Sequence, residues 1–230
     1  MAHEHATWDR RRIQAELRLL GYDVAELTVA KYMRRTSPRP SPTWRAFLHT
    51  HLRDTVAVDF FLVSTLTFRL LFVFVILRHD RRELLHVSVT DQPTAPWTVR
   101  QIIHAFPDET APRYLRRDRD AIYGEAFTPR VANMGIQEVI TAPRAPWQNP
   151  FVERVFGSIR RECLDHVLIL GEAHLRRLPR AYLAYSNTVR PHQALGHNSP
   201  QPRDGQPPSR GRITAVPQVG GLHHRYQRVA

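Results

Sequence analysis

The sequence predicts an α/β domain on a mixed five-stranded sheet flanked by helices, preceded by a partial helix-turn-helix. Three observations carry that prediction. A β-periodic block runs from Thr55 to Val89; short strands then alternate with helix-period segments as far as Ser186; and two short amphipathic helices stand ahead of a proline-rich run. With 230 residues, 42% of them hydrophobic, the chain can bury one sizeable core and carry a small appendage.

Residues 7 to 35 read as two helices. Arg11, Arg12, Ile13, Leu17 and Leu20 alternate a basic and an apolar face, Gly21 ends the first helix, and Glu26 to Met33 makes the second. This is helix-turn-helix spacing, and it defines a segment 1–35. Pro38, Pro40 and Pro42 cannot continue a helix, so 36–43 is a linker and a new domain, 44–200, begins at Trp44. Val56, Val58, Phe60 and Leu62 mark one strand, Phe68 to Leu77 a second and Glu83 to Val89 a third. Thr94 to Phe106 has helical period, Arg113 to Arg117 is a short strand, Glu125 to Asn133 a helix and Gly135 to Ile140 another strand. Asn149 is placed as N-cap and Pro150 as first residue of a helix to about Leu164, and a last helix spans about Glu172 to Ser186. The tail 201–230 is basic, and the Pro-, Gly- and Arg-rich stretch from Ser199 lacks a core of its own. The order βββαβαβα has the plan of a ribonuclease-H-like domain.

Lys and Arg outnumber Asp and Glu by 33 to 21, for a net charge of +12. Lys31 is the only lysine; a GC-rich genome would explain arginine in place of lysine, but not the sign of the charge. A chain this basic points to a polyanionic partner, nucleic acid ahead of a membrane surface. The lone Cys163 excludes an intrachain disulfide and any cysteine-rich zinc site, and its spacing from Val152, Phe156 and Ile159 reads as core packing. No secretory signal stands at the N-terminus, and Ser64, Thr65, Thr67 and Arg69 break the apolar run Phe60–Leu77, so the expected place is the cytoplasm, at the nucleoid, without a membrane. Neither a phosphate-cradling Gly-rich loop nor a Gly-x-Ser-x-Gly elbow is present, which disfavours nucleotide hydrolysis and serine-hydrolase chemistry.

Asp59 interrupts the apolar strand Val56–Leu62, where an unpaired carboxylate costs several kcal/mol, so it must be paired, protonated or bound to a cation. Asp54, just upstream, is the better turn-capping residue. Asp118 ends the strand Tyr114–Arg117; a solvated loop with arginines on both sides is an equally good account of it alone. Glu153 stands in the first turn of its helix, where an acid is favoured in any case. Taken together, two aspartates and a glutamate at one edge of a mixed sheet form a site for hard divalent cations, Mg2+ or Mn2+. A pair of such ions would activate the attacking oxygen and stabilise the leaving one in phosphodiester chemistry.

The run Ala145-Pro146-Trp147-Gln148-Asn149-Pro150-Phe151-Val152-Glu153-Arg154-Val155-Phe156-Gly157-Ser158-Ile159-Arg160-Arg161-Glu162 resembles the catalytic-Glu helix of the DDE transposases of bacterial insertion sequences, which share an integrase catalytic core with retroviral integrases. Between Asp118 and Glu153 lie 34 residues, close to the spacing usual in that family. Asn187-Thr188-Val189-Arg190-Pro191-His192-Gln193-Ala194-Leu195 is similar to the family's closing Y-N-x-x-R-P-H-x-x-L segment, and residues 7 to 35 resemble the second half of its helix-turn-helix region. The resemblance implies Asp59, Asp118 and Glu153 as catalytic residues and ligands of two ions. It implies metal-dependent cleavage at the ends of a mobile element, then attack of the freed 3′ hydroxyl on target DNA, by a homo-oligomer assembled on DNA. Arg160, on the helical face of Glu153, matches the family's basic position. Arg154, Arg161, Trp147, Arg11 and Arg12 are further candidates for DNA contact, with a solvated arginine or a packed aromatic as the plain alternative at each. Asp120 stands where the family usually has glycine, so the second ligand is Asp118 or Asp120, with the spacing favouring Asp118. Two other readings remain: a non-catalytic DNA-binding relic, and a simple ribonuclease-H-like nuclease.

Overall fold

The computed structural model describes residues 9–32, 46–47, 50–107, 110–142 and 148–230. The linker 36–43, Trp44 and Trp147 lie outside the described residues. The chain divides into two compact units, 1–39 and 40–230.

In the first unit, α1 (Arg10–Leu19) and α2 (Glu26–Tyr32) form a helical pair. Asp9 caps α1 by accepting from the Arg12 N–H at 2.9 Å, satisfying a donor that the first turn leaves open. Ile13 and Val29 are its buried apolar residues, and Glu26 pairs with Arg10 and Arg11. Arg11 is thus partly engaged within the unit, while the Arg12 side chain is exposed.

The second unit is a five-stranded mixed sheet between two layers of helices. Its strands are β1 (Thr55–Ser64), β2 (Leu70–Arg78), β3 (Glu83–Thr90), β4 (Tyr114–Arg117) and β5 (Gln137–Ile140), in the order β3-β2-β1-β4-β5. β1 pairs antiparallel with β2 and parallel with β4; β4 pairs parallel with β5. The apolar stretch Phe60–Leu77 is therefore the end of β1, a turn and most of β2, and no helix among the described residues is long and apolar enough to cross a membrane.

Two apolar cores follow from the two-residue period of strands. Val56, Val58, Phe74, Ile76 and Leu115 face α3 (Ala95–Ala105) and α4 (Gly124–Asn133). Ala57, Phe61, Val73, Val75 and Leu77 face the other way, against α5 (Pro150–Glu162) and α6 (Glu172–Thr188). Cys163 is buried in this second core with Val152 and Ile159. The alternation sends Asp59 and Arg116 to the face that α5 covers, since Asp59 shares the parity of Ala57 and Phe61, and Arg116 is the neighbour of the buried Leu115 and the partner of Ala57.

The tail differs from its composition. β6 (Arg212–Gln218) and β7 (His223–Val229) form an antiparallel hairpin, turned by Gly220 and Gly221 with φ of 67° and 94°, values that favour glycine. It has no separate core; Val219 at the turn is buried in the α5–α6 core, and the His223 ring stacks 4.4 Å from that of Tyr185. Proline and glycine content concealed two strands whose stability is borrowed from the domain.

Candidate active site

Asp59 sits in mid-strand, opposite Val75, half-buried beneath the start of α5. Its Oδ1 accepts from the Phe60 N–H at 2.8 Å and its Oδ2 accepts from the Asn149 side-chain amide at 3.2 Å. Burial pushes its carboxyl up to about 7, and the facing charges of Asp118 and Glu153 push the same way. Two acids far away in the chain thus act on Asp59 through space. Glu153, exposed in the first turn of α5, is also raised, mainly by desolvation, against the opposing pull of Arg116.

The two candidate second acids behave differently. Asp118, half-buried at the end of β4, accepts from the Asp120 N–H and faces Asp59. Asp120 is exposed and accepts from the Ile122 N–H at 3.0 Å, capping a short 3-10 turn. Arg117, two-point bound to Glu138 and the Asp118 carbonyl, fixes the strand end that carries Asp118.

Beneath the acids lies a layer of polar residues that sequence reasoning did not single out. Arg116 is fully buried; its Nη2 donates to the Asn149 Oδ1 at 2.7 Å and to His79 Nε2 at 3.0 Å. Burial lowers the guanidinium to about 9, with Asp59 and Glu153 holding it up, so at neutral pH it remains the cation of the site. His79 is pushed down to about 2 by burial and by Arg116 and Arg82; it is a neutral acceptor. Asn149 does not cap α5 with its side chain, as its place before Pro150 had implied, because both ends of its amide are taken by Asp59 and Arg116. Only its carbonyl serves the helix, accepting from the Glu153 N–H. The signal in sequence was an arginine inside a short strand; which face it occupied was not readable.

The arginines expected to touch DNA have varied surroundings. Arg160 donates to the Leu62 carbonyl at 2.8 Å and lies over the Phe61 ring, Arg161 lies against Gly157, and Arg154 is exposed beside Glu153. Among the described residues, no three His, Cys, Asp or Glu side chains are grouped as a ready-made metal site. The donor chemistry nonetheless fits a hard divalent cation: three carboxyls, two of them acting as like charges on Asp59, and no histidine or cysteine among them.

The closing segment is saturated by partners. Asn187 is buried and holds the backbone of Leu84 on edge strand β3 at two points, accepting from its N–H at 3.0 Å and donating to its C=O at 2.8 Å. Arg190 grips both oxygens of Glu162 at 2.7 and 2.6 Å, and Tyr182 donates to the same carboxylate at 2.8 Å.

Residues 134–200 match the family model of the integrase core domain. The chain is 26% identical over 204 residues to the Insertion element IS476 uncharacterized 39.2 kDa protein of Xanthomonas euvesicatoria, covering 88% of this chain and 58% of that protein. The chain is thus similar to an insertion-element protein, and its residues 134–200 resemble an integrase core domain. It spans under two thirds of the length of that curated relative. The chain shares a fold with the HTLV-2 integrase catalytic core domain in complex with magnesium, with TM-score 0.50 and 14% identity over 63% of this chain and 92% of that one. A simian T-cell lymphotropic virus intasome in complex with PP2A regulatory subunit B56 gamma is similar at TM-score 0.53 and 16% identity, over 93% of this chain and 82% of that one. These likenesses fix the fold: a ribonuclease-H-like mixed sheet of the integrase kind.

Proposed function

We propose that this integrase core is a metal-dependent DNA transposase, cutting and joining strands at the ends of a mobile element. The observation that carries the reading is the placement of Asp118 and Glu153 close enough to the half-buried Asp59, at one edge of an integrase-type sheet, for both charges to act on its carboxyl. Asp59, Asp118 and Glu153 would hold the divalent ions, two as in related phosphodiester chemistry, and the ions when bound supply Lewis-acid activation of the attacking oxygen and charge relief at the leaving one. Asn149 orients the Asp59 carboxylate by donating to Oδ2, and the Phe60 N–H fixes Oδ1. Arg116 balances the acids from below, and the neutral His79 keeps its guanidinium in place. Asp120 is spent as a cap, which supports Asp118 as the second ligand. DNA, both element ends and target, is the partner, held by an oligomer; the net charge of +12 supports the polyanion.

The test is strand cleavage of an element-end oligonucleotide in Mg2+. Asp59→Asn and Glu153→Gln should each lose cleavage by three orders of magnitude or about that while DNA is still retained; cleavage at the parent rate in either variant removes the assignment. The absence of a ready-made trio among the described residues favours a second reading, a DNA-binding copy without catalysis. It predicts that the parent itself retains DNA and cuts none with either ion.

A further inference from the structure

The four-residue turn between β2 and β3 ends at Arg82, whose φ of 57° is left-handed, as one position of such hairpin loops requires. The turn lays the Arg82 guanidinium over the ring of Phe151, 3.4 Å from its centroid, in the first turn of α5. Phe151 is itself held edge-on by His79 at 5.2 Å, so this arginine is aimed by the polar layer under the acids. Arg82 and Arg154 line one cavity of about 410 Å³ together with Phe151. No carboxylate among the described residues pairs with either of them, whereas the neighbouring Arg190 is neutralised by Glu162. Two unneutralised guanidiniums on a shared wall repel each other, an arrangement that an anion between them would stabilise. Val155, Pro191 and Ala194 add apolar lining to the same cavity, and Gln193 adds a hydrogen-bonding amide. The volume is far more than one phosphate needs and falls in the range of small-ligand pockets, roughly 300–1,000 Å³.

We propose that this cavity takes one unpaired nucleotide of a DNA strand, its phosphate between Arg82 and Arg154 and its base against Val155, Pro191 and Ala194. The cavity opens on the face of α5 that carries Phe151, Arg154, Val155 and Ser158, and Arg154 follows Glu153 directly in the chain, so a strand held here runs along the helix that carries a catalytic acid. The inference rests on the proposed function only in making DNA the ligand; the binding it describes needs no metal and no cleavage.

The experiment is fluorescence anisotropy of a labelled single-stranded oligonucleotide and of its blunt duplex, in EDTA, with the full chain and with Arg82→Gln, Arg154→Gln and Gln193→Ala. Both arginine variants should weaken single-strand binding about tenfold, one phosphate contact being of that order, and lower the salt slope by about 0.7. Duplex binding should change less than twofold. Equal losses on both DNAs, or none on either, overturn the proposal. Thermal melting checks each fold, and the exposed Arg154 carries the test if Arg82→Gln fails to melt cooperatively. Deoxyadenosine monophosphate is the competing source of the same chemistry: arginine-dependent binding tighter than that of the oligonucleotide identifies a free nucleotide and overturns the strand assignment. Because EDTA silences cleavage, loss of the catalytic assignment leaves this readout intact.

Discussion

The acidic edge and the closing segment are built from the same residue types and behave oppositely. Around Glu162, a carboxylate is gripped by Arg190 and Tyr182; burial alone would raise it, but these hydrogen bonds outweigh burial and bring it down. Around Asp59, burial is joined by two facing acids, and the carboxyl rises to about 7. A saturated cluster holds a fold together, whereas a cluster left with excess like charge costs stability and keeps a place open for a ligand. The Asn187-to-Leu195 segment is therefore a brace: it closes the edge of β3 and pins α6 to α5.

The largest effect should come from breaking the brace. Glu162→Ala strands the half-buried Arg190 and the Tyr182 hydroxyl, and should cost about 2–4 kcal/mol of unfolding free energy, read by urea denaturation. A change of about half a kcal/mol or less would show that the closing segment is no brace. Since the Glu162 value is depressed, its contribution is present above the ordinary carboxylate range and is lost as pH falls through the folded value.

The acidic edge should respond with the opposite sign. Well below the ordinary aspartate value of about 3.9, Asp59 is protonated in both folded and unfolded chains and costs nothing. As pH rises towards 7 the unfolded chain ionises first, so stability drains away until the folded carboxyl also ionises. Asp59→Asn in metal-free buffer should therefore stabilise the chain at pH 8 by up to roughly 4 kcal/mol, with the gain shrinking to about a third at pH 5. A destabilised variant at pH 8 would show that Asp59 is a paired structural acid like Glu162.

Much of this was legible without coordinates. Asp59 stood out because a charge broke a strand of Val, Phe and Leu, and the two periodicities placed all five strands of the sheet and both flanking helix layers. Asn149 and Arg116 were not legible in their roles. A short polar residue before Pro150 reads as a cap, and nothing in Arg116-Arg117 tells which one turns under α5; only the pairing of Ala57 with Arg116 decides it. Arg82 was hidden because its meaning depends on a hairpin folding over Phe151, a contact across 69 residues of sequence.

The central claim is that Asp59, Asp118 and Glu153 together bind a divalent cation. Calorimetric titration of the chain with Mn2+ tests it most directly. The account predicts a binding heat that disappears in Asp59→Asn, in Asp118→Asn and in Glu153→Gln, and survives in Asp120→Asn. An identical heat in parent and Asp59→Asn, or no heat in the parent, would contradict it.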